Sequence, residues 1–141
     1  MKTHCSFVLS LLMFISLPVV VAGSDACSET SKLTDDEARI LLYVSPVAIS
    51  ARNAGTDIDI EKSAPTKQFP AGDYFVAAIV SQKPTGGGVL GNGILGYFAV
   101  DKRTASVEST SDFTPVKGKE LARIQVWIRH IHCIQDQDLR K

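Results

Sequence analysis

Four kinds of hydrophobic pattern follow one another along this 141-residue chain. Residues 7–22 are an almost unbroken apolar run, interrupted by Pro18. A helical period follows, with Ala38, Leu41, Leu42 and Val44 on one face. Thr34 and Glu37 carry the spacing of a capping box, and Asp35, Asp36 and Glu37 suit the positive end of a helix dipole. Pro46 has no N–H to donate, so the helix bends or restarts there. Ser45-Pro46 reads as the cap and first position of a second short helix, which runs to about Asn53 and is stopped by Gly55.

The period then falls to two. Asp57-Ile58-Asp59-Ile60-Glu61 alternates acid and isoleucine, as a half-buried strand does. Residues 63–72 hold two prolines and a glycine and read as a connection. Residues 73–82 form a second strand, with Tyr74, Phe75, Val76, Ile79 and Val80 all suited to a pleated surface. Residues 94–101 form a third, Lys102-Arg103-Thr104 turns the chain, and residues 105–108 return as a short fourth. Beyond Pro115 a last helix carries Leu121, Ile124, Ile128 and Ile131 at spacings of three and four, with Trp127 beside them. Lys117, Lys119, Arg123 and Arg129 take its other side. The order predicts an α+β fold. It is a two-layer domain with an N-terminal helix, an antiparallel meander of three to four strands with one solvated face, and a C-terminal amphipathic helix.

The apolar run at the start changes how the rest is read. Lys2, the run itself and Val20-Val21-Ala22 have the three parts of a secretory signal cut before Gly23. At about 16 residues the run is shorter than the roughly 20 of a spanning helix. Cys27 stands too far beyond it, after Asp25, for a lipidated cysteine. The expected organisation is a signal peptide at 1–22, a flexible entry segment at 23–32, a single α+β domain at 33–134 and a polar tail at 135–141. The expected location is exported, periplasmic or extracellular, with the membrane met only through the cleaved signal. Cleavage removes Cys5 and leaves Cys27 and Cys133 where disulfides persist. A bond between them would tie the start of the domain to its last helix; the alternative is two free or intermolecular thiols.

Charge adds mainly exclusions. After cleavage 14 bases face 15 acids, which offers no electrostatic handle for nucleic acid or an anionic membrane. The most unusual stretch is Gly86, Gly87, Gly88, Val89, Leu90, Gly91 and Asn92, between two strong strands. It has no Gly-Lys-Ser/Thr ending and precedes a strand, so no nucleotide is expected. It reads as a flexible hairpin loop, or as a protruding partner-contact loop tipped by Val89 and Leu90. His130 and His132 flank Ile131, but residues two apart on a helix diverge, so no metal and no cofactor are expected. Asp57, Asp59 and Glu61 share a strand face at about 7 Å spacing, which suits either glycoside chemistry or a negative stripe for a basic partner. An ordinary solvated strand face looks the same. Tyr74, Phe75, Tyr97, Phe98 and Trp127 read as core. No catalytic residue is assigned.

The segment Gly96-Tyr97-Phe98-Ala99-Val100-Asp101-Lys102-Arg103-Thr104-Ala105-Ser106-Val107 resembles a hairpin of small exported bacterial domains, in which an aromatic-rich strand ends in a V-[DN]-x-x-T-G-x-V turn. It is similar to the final hairpin of PepSY-type domains and to cystatin-like and NTF2-like immunity or inhibitor proteins. Ala105 stands where the glycine usually sits, and the long helix that follows is not typical of PepSY-type domains. The resemblance implies a non-enzymatic helper or inhibitor and transfers no functional residue. The functional expectation is an exported, non-enzymatic protein that binds a protein partner in the cell envelope, as an inhibitor or immunity factor does. The alternative is a structural or accessory envelope domain, with a hydrolase third.

Overall fold

A computed structural model describes residues 31–82 and 93–135. The expected signal segment, Cys27 and the glycine-rich stretch 86–92 lie outside them. The element order is α1 (Asp35–Tyr43), α2 (Pro46–Asn53), β1 (Ile58–Lys62), β2 (Tyr74–Ser81), β3 (Ile94–Asp101), β4 (Val107–Ser109) and α3 (Lys119–Ile131). The strands form an antiparallel meander in the order β1-β2-β3-β4, so the α+β class and its arrangement hold.

Local chemistry starts and stops the first two helices where the sequence indicates. At α1 the Thr34 hydroxyl accepts from the Glu37 N–H at 3.2 Å, and the Thr34 N–H donates to the Glu37 carboxylate at 2.8 Å. Ser45 caps α2, with Pro46 in the first position. Gly55 closes α2 in the left-handed region, φ +76°. Its N–H bonds to the Arg52 carbonyl, and the Thr56 N–H to that of Ala51. The end of α3 repeats the motif: Cys133 N–H bonds to the His130 carbonyl and Ile134 N–H to that of Arg129. Here the left-handed residue is Cys133, φ +58°.

That geometry corrects the reading of Cys133 as part of the last helix, because the helix ends at Ile131 and Cys133 turns the chain away from it. The expected Cys27–Cys133 disulfide falls partly outside the described residues, because Cys27 is not among them. No disulfide is found between described residues, of which Cys133 is the one cysteine. Cys133 is itself in the disulfide-bonded state, and nothing described shows with which residue.

The helices cover one face of the sheet. Leu33, Leu41 and Leu42 from the first segment, Leu121 and Ile128 from α3, and Ile60, Phe75, Ile79, Phe98, Val100 and Val107 from the strands make the main core. The other face was expected to be solvated, and part of it is not. Phe69, from the stretch read as a plain connection, buries itself against Val76, Ala99 and Tyr74. Phe113 stacks on Phe69 with ring centroids 5.9 Å apart.

Both sheet edges have part of their outward backbone already engaged. At Ile60 on β1 the outward carbonyl accepts from Arg39 at 2.6 Å, while the N–H donates to the Asp59 carboxylate at 2.7 Å. Beyond β4 the chain returns, with Val116 N–H on the Val107 carbonyl and Ser109 N–H on that of Thr114.

Candidate functional site

Each sequence-derived candidate has a definite place or lies outside the described residues. Gly86–Asn92 is outside them, although the strands it joins are tied at its base by the Ser81 N–H on the Gly93 carbonyl at 2.7 Å. Asp59 and Glu61 are exposed on the outer face of β1, and Asp57 is exposed just before it. The Asp59 carboxylate is engaged by its own strand edge.

The expected aromatic core divides instead, because side chains alternate along a strand. Phe75 and Phe98 enter the main core, whereas Tyr74 joins the small outer cluster and Tyr97 is exposed. Trp127 is also exposed, by 57%, and this corrects its assignment to the core.

His130 and His132 diverge as expected: His130 is exposed and His132 is buried. Among the described residues no group of three or more metal-type side chains comes together. His132 makes a contact no spacing announced. Its Nε2 lies 2.7 Å from the Glu37 carboxylate and its Nδ1 lies 2.6 Å from the Ser31 hydroxyl. A carboxylate only accepts, so Nε2 carries the proton there. Burial pushes the Glu37 carboxyl up, and the bonds from His132 and Thr34 outweigh it, holding the group below its ordinary range.

This serine–histidine–carboxylate chain has the components of a nucleophilic site, yet the nearby N–H groups are spent. Leu33 N–H donates to the Lys102 carbonyl and Thr34 N–H to Glu37, so neither is free to receive an oxyanion. The chain acts as a clasp joining the entry segment, the start of α1 and the end of α3. Ion pairs from Lys62 and Lys102 to Asp35, at 2.6 and 2.9 Å, fasten the same end of α1 to the sheet and lower the Asp35 pKa.

Two surface features remain. An open groove of about 390 Å³ lies between α2 and the start of α3, lined by Val44, Pro46, Ile49, Asn53, Gly118 and Lys119 among others. From its rim the outward side of α3 carries Lys119, Arg123, Val126, Trp127, His130 and Ile131, all exposed.

No protein-family model matches the chain, and no curated protein matches it. Among solved structures it is similar to a chain of a "type VI secretion system effector-immunity complex from Pseudomonas protegens". The two are 16% identical with a TM-score of 0.54, over 79% of this chain and 87% of the other. At that identity the likeness is one of fold.

Proposed function

We propose that the chain is a small exported, non-enzymatic protein that binds a protein partner in the cell envelope, as an immunity protein or inhibitor does. The carrying observation is the fold likeness to a chain of an effector–immunity complex, spanning most of both chains. The signal-like start supports export, and the hydrogen-bonded sheet edges point to side-chain surfaces for contact, away from strand addition. The stretch Gly86–Asn92, with its apolar Val89 and Leu90, is a second candidate contact.

Co-culture tests the reading. Cells lacking the gene should be outcompeted by their parent strain, and the full chain should restore them. Residues 23–141 expressed without the signal should not. Equal fitness of the deletion strain and its parent defeats the proposal.

A further inference from the structure

The outward side of α3 interleaves apolar and basic side chains in a way that solvent exposure alone does not require. Arg123 lies one turn before Trp127, Val126 lies one turn before His130, and Ile131 lies one turn after Trp127. Trp127, Val126 and Ile131 are 57%, 66% and 49% exposed. Tryptophan and arginine side by side on an exposed helix are the residue types that carry most protein–protein binding energy. Lys119 belongs both to this row and to the groove lining, so the concave and convex features are continuous.

Charge identifies the occupant. The exposed Lys117, Lys119 and Arg123 outnumber Glu120, which pairs with Arg123 at 3.7 Å, while Arg129 is turned to the Thr104 carbonyl at 2.8 Å. The outer face of the sheet, on the opposite layer, carries Asp59, Glu61, Asp101 and Glu108. A second copy fits poorly in either arrangement. Two α3 faces together would oppose like charges, and α3 against another copy's sheet is a head-to-tail contact, which builds a ring or an open filament rather than a two-fold pair.

We infer that the outward side of α3 and the adjoining groove form the partner-contact surface, and that the partner is a protein presenting an apolar recess rimmed by carboxylates. This rests on the binding function proposed above.

A photo-crosslinking phenylalanine analogue placed in the full chain at Trp127, at Tyr97 or at Val89, in the native host, tests it. The Trp127 position should trap one protein, through a peptide containing Asp or Glu. With that protein purified, Trp127→Ala should weaken binding ~30-fold. Arg123→Glu should weaken it ~10-fold, and reversing the partner's crosslinked acid to lysine should restore the loss. Trp127→Ala should melt as the parent chain does, which separates contact from folding.

A partner trapped only at Tyr97 or Val89 overturns this surface and leaves the binding function standing. No adduct at any position overturns both. An adduct between two copies at Trp127, or failure of the lysine swap to restore binding, overturns the assignment of an acidic partner.

Discussion

Glu37 shows how much one side chain can carry in a chain of this size. Its carboxylate completes the α1 capping box and also accepts from the buried His132, 95 residues away. Its folded pKa is depressed, so it contributes stability that is present above the ordinary glutamate value of 4.5 and lost as pH falls through the folded pKa. Asp35 acts in the same direction, held down by Lys62 and Lys102. Urea titrations from pH 7 to pH 3 should therefore show stability falling below about pH 4.5. Glu37→Gln should be less stable at pH 7 and lose less on acidification. An unchanged pH slope would show that the clasp does not contribute. The Thr34–Glu37 spacing announced the capping box, because a cap is made within four residues. The bond to His132 had no such signal.

At the level of elements, the junction of α2 with α3 rests on Gly118. Its φ of −166° is open to any residue, so the requirement is one of space. A Cβ there would stand 2.7 Å from Cγ and 3.1 Å from Cδ of Pro46, whose ring cannot turn aside. This also accounts for an N-cap with no side-chain bond on an otherwise well-formed helix. Gly118→Ala should cost about 1–3 kcal/mol by thermal or urea melt. Combining it with Pro46→Ala should recover part of that loss, and strict additivity would mean the two do not touch. Pro46 was legible as a helix start, but its second role against Gly118 was not, since 72 residues separate them.

For the molecule as a whole, the division of α3 between core and surface separates stability from binding. Ile128 is fully buried and Trp127, the next residue back, is half exposed. Ile128→Ala should destabilise by about 2–5 kcal/mol, whereas Trp127→Ser should change stability by about 0.5 kcal/mol or less. A large loss from Trp127→Ser would place that ring in the fold's interior.

The amino-acid sequence by itself determined the element order, the meander, the breaks at Pro46 and Gly55 and the two strand faces. Each follows from residues within a few positions of one another. Tertiary structure alone decided what covers each face. It turned Trp127 outward, drew Phe69 over the back of the sheet, set Arg39 on the Ile60 carbonyl at the β1 edge and brought Ser31, Glu37 and His132 together. Periodicity assigns a side chain to a face. Whether that face meets protein or water depends on which distant segments arrive there.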